Sequence, residues 1–129
     1  MTEQEIKRLI DDTVNTTVLK LKAAGLLKDD TKTAYQKTEV LLWQYPELKK
    51  VAEPYARRVV AEIDACLADA ASDPYVDVIR LYYFKCLTNV ACAKELICDE
   101  RTCRRYRKQL VEKFSTRLAS DDFIRELLL

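Results

Sequence analysis

A single glycine and three prolines interrupt this chain of 129 residues. Strands are usually bounded by clusters of Gly, Pro, Asn and Asp, and such clusters are nearly absent here. Apolar residues make up 49% and charged residues 33% of the chain, a balance typical of well-formed helices rather than of disorder. The sequence therefore predicts an all-α fold in a single folding unit, because the chain is long enough for one compact core.

Apolar residues recur at spacings of three and four through the first half of the chain, which predicts three helices there. The first runs from about Thr2 to Ala24 and stops at Gly25, the residue type that most readily takes the left-handed conformation after a helix. The second runs from a cap at Asp30 or Thr31 to Tyr45, because the residue before a proline avoids the helical region. The third opens at Pro46 and extends to about Ala71, with a kink or short break at Pro54.

The second half of the chain, after the boundary Ser72-Asp73-Pro74, predicts shorter helices. The first of them spans Tyr75 to Lys85, and Thr88 is a suitable N-cap for another that ends at Leu96. Asp99 can cap a longer helix to about Leu118, so only two residues separate these two helices. An amphipathic tail over Phe123 to Leu129 needs a cover for its apolar side.

These elements divide the chain into three regions. We predict an N-terminal helical region over residues 1–73 that serves oligomerisation or partner binding, a helix-turn-helix over 74–120, and the tail over 121–129. Excess positive charge lies in residues 74–129. They contain 11 basic and 8 acidic residues, whereas residues 1–73 contain 11 basic and 13 acidic residues. In a helix-turn-helix the first helix lies across the DNA backbone while the second enters the major groove.

The helix predicted from Asp99 to Leu118 carries seven basic and three acidic residues. Its apolar side is expected to face the core through Cys103, Tyr106 and Leu110. The opposite side carries four cations at positions i, i+3, i+4 and i+7, namely Arg101, Arg104, Arg105 and Lys108. An arginine fork can meet guanine O6 and N7 with two hydrogen bonds. Three cations off this stripe are expected to contact phosphates instead, namely Arg107, Lys113 and Arg117.

Four segments of the chain carry a family resemblance: TAYQKTEVLLWQYPELK (33–49), VIRLYYFKCLT (78–88), AKEL (93–96) and CDERTCRRYRK (98–108). The last three resemble the C-terminal promoter-reading region of sigma factors. Together the four are more similar to small phage and prophage late-gene transcription regulators of the ArpU/RinA type, over roughly residues 31–118. The chain departs at Ile97, where such families favour Gly or Asn, and at three cysteines that stand where they have Ile or Val, namely Cys92, Cys98 and Cys103.

The resemblance implies sequence-specific binding of double-stranded DNA at or near a promoter, followed by activation or antitermination of late phage genes. It implies contacts near bases from Asp99, Glu100, Arg101, Arg104, Arg105 and Lys108. It also implies a phosphate contact from Thr88, at the start of the bracing helix. The full candidate set of DNA-contacting residues is Thr88, Asp99, Glu100, Arg101, Thr102, Arg104, Arg105, Arg107 and Lys108.

Metal binding and catalysis have little support in the sequence. The five cysteines are an odd number at apolar positions, which suits reduced thiols, and the chain has no histidine. Of Cys92, Cys98 and Cys103, only the last two come within the short spacing of zinc motifs, and one such pair leaves half of a tetrahedral site without ligands. The chain has no histidine for a catalytic triad and no Gly-rich phosphate loop, and its carboxylates are scattered over the predicted helix surfaces. We therefore predict a protein that is not an enzyme and has no metal or cofactor.

The main alternative is a protein-interaction module, in which the helices over residues 2–71 bind a partner such as RNA polymerase and the basic face is a solvated surface. Trp43, Tyr35 and Tyr45 could anchor such an interface, although we favour a core role for them. The recognition subunit of a phage terminase would use the same helix-turn-helix. Single helix-turn-helix units bind weakly, so we expect a homodimer through the N-terminal helices or the tail.

No apolar run approaches the roughly 20 residues that span a bilayer, and the first five residues are polar. A signal peptide would need an apolar core there. The sequence therefore predicts a cytoplasmic protein with no membrane partner.

Overall fold

The computed structural model describes residues 2–6 and 20–128 of the chain. Within these ranges the regular structure is helical and no strand occurs, which confirms the all-α prediction. Residues 3–6 and 20–27 are helical. No helix in the described part of the chain is long and apolar enough to cross a bilayer.

Six helical elements follow from residue 34 onward, and they are numbered α1 to α6. They are α1 (Ala34–Leu48), α2 (Pro54–Asp69), α3 (an α-helical turn Asp77–Ile79 continued by a π-helical turn Arg80–Phe84), α4 (Asn89–Glu95), α5 (Glu100–Leu118) and α6 (Asp121–Leu128). The predicted N-caps of α4 and α5, Thr88 and Asp99, are both confirmed.

The first predicted helix falls largely on residues 7–19, which lie outside the described residues. Its predicted end is wrong, because the helix continues to residue 27 and Gly25 does not have a positive φ. Ala23 and Leu27 on either side of this glycine are almost wholly buried. Their burial outweighs the roughly 1 kcal/mol that a glycine costs inside a helix.

α1 begins and ends later than the sequence predicts. Its N-cap is Thr33, whose hydroxyl accepts a hydrogen bond from the Gln36 N–H at 3.1 Å, while the Gln36 side chain accepts one from the Thr33 N–H at 3.0 Å. The helix also runs through Pro46 to Leu48. Proline removes one N–H and its ring crowds the carbonyl four residues earlier, and the burial of Tyr45 and Leu48 offsets this cost.

Pro54, and not Pro46, opens the next helix. It is the first residue of α2, a position where the missing N–H has no helical partner to lose. The predicted third helix therefore divides into the last turn of α1 and the whole of α2, with residues 49–53 between them. The predicted break near Pro54 is confirmed, and α2 ends at Asp69.

One hydrophobic core joins the two halves of the chain. α1 packs against α2, α3 and α5, and α6 packs against α2 and α5. Residues from both halves meet in this core, among them Leu41, Leu42, Val59 and Ile63 from the first and Tyr83, Leu110, Val111 and Phe114 from the second. Phe123 and Leu127 of α6 are 5% and 4% exposed, so the apolar side of the tail is covered within the chain.

Candidate nucleic-acid interface

α4 and α5 form two helices joined by the four-residue turn 96–99. The Thr88 hydroxyl starts α4 by accepting a hydrogen bond from the Ala91 N–H at 3.1 Å. α4 then ends in a Schellman motif, in which the Cys98 N–H donates to the Ala93 carbonyl at 3.0 Å and the Ile97 N–H donates to the Lys94 carbonyl at 3.3 Å. This motif requires a left-handed residue, and Ile97 supplies it with a φ of 52°.

The Asp99 carboxylate starts α5 immediately after the turn. It accepts a hydrogen bond from the Thr102 N–H at 2.6 Å. Hydrogen bonding to the backbone and side chain of Thr102 holds the pKa of Asp99 below its ordinary value, so the carboxylate is ionised at neutral pH. The cap fixes the start of α5 at Glu100, directly after the four-residue turn.

The inner faces of α4 and α5 pack through small side chains. Cys92 and Cys103 are fully buried and Ala93 is 5% exposed, as the packing role predicted for them requires. Burial raises the pKa of the Cys103 thiol to about 11, and it also raises the pKa of Cys92. Among the described residues no three potential ligands from His, Cys, Asp and Glu stand close enough together to hold a metal ion.

The four cations predicted for the outer stripe of α5 are exposed, and the structure brings them together on one face. They are Arg101, Arg104, Arg105 and Lys108. Arg104 is paired with Glu100 one turn earlier. The guanidinium of Arg105 lies 5.3 Å from the ring centroid of Tyr106, which is itself stacked on Tyr75. Of the remaining candidates, Thr88 and Asp99 are exposed at the two helix starts, and Glu100 and Thr102 are half-buried.

Arg107, predicted to contact phosphate, points instead into the protein. Its guanidinium carbon lies 3.7 Å from the ring centroid of Tyr82 in α3, and its Nη1 donates a hydrogen bond to Asn89 in α4. The reason is helical spacing, because Arg107 stands four residues after Cys103 and four before Val111, both of which are fully buried. That spacing is visible in the sequence and could have identified Arg107 as an inward residue.

The two other cations predicted to contact phosphate differ from each other. Arg117 is tied to α2, since its Nε donates to Glu62 at 2.9 Å and its Nη1 donates to Asp69 at 2.5 Å. Lys113 is exposed. Arg117 therefore joins α5 to α2, whereas Lys113 remains accessible to a ligand.

The buried side chain of Tyr83 lies behind α5, next to Arg107 and among other aromatic rings. The Tyr83 hydroxyl donates a hydrogen bond to Glu39 of α1 at 2.7 Å. Burial and this hydrogen bond raise the pKa of Tyr83. Burial also raises the pKa of Tyr35. The positive charge of Arg107 lowers the pKa of both tyrosines, against the effect of burial. Trp43, for which we favoured a core role, is 42% exposed, with its ring 4.7 Å from that of Tyr83.

Comparison with known proteins adds no relative: no protein-family model, no curated protein and no solved structure matches the chain.

Proposed function

We propose that this protein is a sequence-specific DNA-binding transcription regulator that places α5 in the major groove of double-stranded DNA. The observation that carries the proposal is the exposed stripe of Arg101, Arg104, Arg105 and Lys108 on the second helix of a helix-turn-helix. Four residues separate α4 from α5, which suits one helix bracing on the backbone while the other reads base edges.

The charges of the stripe are available to a ligand. Among the described residues Arg104 alone of the four makes an ion pair, and its partner Glu100 lies on the same helix. An exposed pair of this kind contributes only about 0.3–0.5 kcal/mol, whereas a hydrogen bond to a charged group contributes about 1.5–3 kcal/mol. A phosphate or a guanine edge can therefore replace Glu100 as the partner of Arg104.

The purpose of the binding rests on the resemblance to phage late-gene regulators. We propose on that basis that the DNA site lies at or near a promoter of late phage genes, and that the bound protein acts on RNA polymerase there. We also propose that it binds as a homodimer on two half-sites, since a single helix-turn-helix offers few contacts. The buried side of α6 is already used within the chain, which favours the N-terminal helices for this dimer.

The double variant Arg104→Ala, Arg105→Ala tests the proposal. Duplexes enriched by the wild-type chain from a random-sequence pool serve as the probe, and a scrambled duplex of equal composition is the reference. Each bidentate arginine contributes about 1–3 kcal/mol of discrimination, so the variant should lose at least about thirtyfold in selectivity. The control Lys50→Ala, Arg57→Ala removes the same charge from exposed positions outside α4 and α5 and should retain selectivity. An Arg104, Arg105 variant that selects the same duplex contradicts the groove assignment.

A protein-interaction module is the second candidate, and the exposure of Trp43 is the observation that favours it. Salt dependence separates the two functions. A protein that neutralises several phosphates loses affinity steeply between 50 and 200 mM salt, because each contact releases counterions. Binding that is insensitive to salt and abolished by Trp43→Ala would favour the interaction module.

A further inference from the structure

Arg107 differs from the other cations of α5 in what surrounds it. It is the one member of the basic run 104–108 whose side chain turns to the core, where it contacts three other helices. Tyr82 of α3 lies against its guanidinium face, Asn89 of α4 accepts its hydrogen bond, and its charge acts on Tyr35 of α1. The stacking on Tyr82 and the hydrogen bond to Asn89 both direct the guanidinium inward.

Arginine is a costly way to fill this space. The Nε of Arg107 is buried and has no hydrogen-bond partner among the residues that the structure describes, and an unsatisfied buried donor destabilises a fold. Well-packed apolar side chains often replace buried charged groups without loss of stability. Stability alone therefore does not explain this arginine, whose planar fork fixes direction in a way that an apolar chain cannot.

The small buried side chains between α4 and α5 bring the two helices together without a directional contact, and the hydrogen bond from Arg107 to Asn89 adds one. The turn 96–99 joins the two helices at one end. Asn89 is the first residue of α4, at the opposite end of that helix, and there the hydrogen bond from Arg107 is a second link. Two links at opposite ends of α4 fix the angle between the helices. Stacking of Arg107 on Tyr82 then ties that angle to α3.

We propose that Arg107 is a positioning residue for DNA reading, which holds α4 at the angle to α5 that sequence selection needs, and that it makes no phosphate contact. This inference rests on the proposed function of α5. A displacement of about 1 Å at a hydrogen-bonded interface is enough to spoil bidentate geometry. Loss of the Arg107 link should therefore weaken selectivity while the charge available to the DNA backbone stays the same.

Arg107→Met and Arg107→Lys test this inference, with Lys113→Met as the matched control, because Lys113 is an exposed cation of the same helix that lies off the stripe. Affinity for the enriched duplex and for the scrambled duplex is measured over a series of salt concentrations. We expect both Arg107 variants to lower the selectivity ratio about tenfold or more, with the slope of log affinity against log salt unchanged. Lys113→Met should reduce that slope by about one and keep the selectivity ratio, since it removes an exposed cation predicted to contact phosphate.

The outcomes separate a positioning role from the other possible roles. If Arg107→Met reduces the salt slope by about one and Arg107→Lys restores it, Arg107 contacts phosphate and the inference is overturned. If both variants keep full selectivity, or lose affinity equally on both duplexes, Arg107 serves only the stability of the fold. A wild-type chain that selects no duplex overturns the proposed function itself, and the inference with it.

Asn89→Ala provides a second route that leaves the core volume nearly unchanged, should Arg107→Met fold poorly. It removes the acceptor of the same hydrogen bond, so it should lower selectivity as Arg107→Met does. The combined variant Asn89→Ala, Arg107→Met should lose little more than either single variant, because both break one link. Additive losses would show that the two residues act separately, against the inference.

Discussion

Replacing Ile97 with glycine should stabilise the protein. Ile97 has a φ of 52° at the end of α4, a conformation in which the β-carbon crowds the following carbonyl oxygen. This costs an L-residue about 1–2 kcal/mol, whereas the extra freedom of glycine in the unfolded chain costs about 0.5–1 kcal/mol. Because the Ile97 side chain is 93% exposed, its removal forfeits almost no packing. The expected net gain is about 0.5–1 kcal/mol, or roughly 2–4 °C in Tm for a chain of this size.

Val90→Gly is the matched control for this substitution. Val90 is also β-branched and half exposed, but it lies within the helical turns of α4, where glycine relieves no strain. It should lower stability by about 0.5 kcal/mol because glycine is the poorer helix former. Thermal and urea unfolding followed by circular dichroism measure both variants. If Ile97→Gly lowers Tm as Val90→Gly does, the left-handed conformation carries no such cost and the reasoning is refuted.

Two further predictions concern the core. Phe123→Ala should lower the free energy of unfolding in urea by about 3–5 kcal/mol, because the ring is buried and lies 5.0 Å from the Arg58 guanidinium of α2. A loss below about 1 kcal/mol would contradict the packing of α6 on the core. Burial raises the pKa of the Cys66 and Cys103 thiols from 9.0 to about 11. Their contribution to stability is therefore fully present below pH 9 and lost as pH rises towards 11. Urea midpoints over this range should fall more steeply for the wild type than for Cys66→Ala, Cys103→Ala, and equal falls would contradict the assignment.

The features of the fold that could be predicted from the sequence depend on neighbours close in the chain. Thr88 and Asp99 cap their helices through hydrogen bonds to N–H groups three residues ahead, so residue type and position are sufficient to identify them. Pro46 and Gly25 behave differently, because packing against distant residues decides whether a helix continues through them. Tyr45 beside Pro46 donates a hydrogen bond to Asp64 of α2 and stacks on Phe84 of α3. Neither contact is visible in the residues around the proline.

The same distinction applies to the candidate site. The exposed stripe of α5 follows from helical spacing, which the sequence displays directly. The charge of Arg107 predicts a phosphate contact, whereas its spacing to the buried Cys103 and Val111 indicates an inward side chain. Its partners Asn89 and Tyr82 stand on two other helices, so the link could be recognised only once the packing of α3, α4 and α5 was known.

The packing of α5 also shows that the helix proposed to read DNA is supported by the first half of the chain. The side of α5 opposite the stripe packs along α1, so Leu110, Val111 and Phe114 are buried partly by residues of the first half. Residues 74–120 alone would leave this apolar side of α5 in water, at a cost of about 1.5–3 kcal/mol for each large side chain. The α4–α5 unit therefore depends on α1 for the rigid backing that a reading helix needs. Glu39 of α1 faces Tyr83, and Tyr35 of α1 faces Arg107. The part of α1 that supports α5 therefore lies directly behind the hydrogen bond between Arg107 and Asn89.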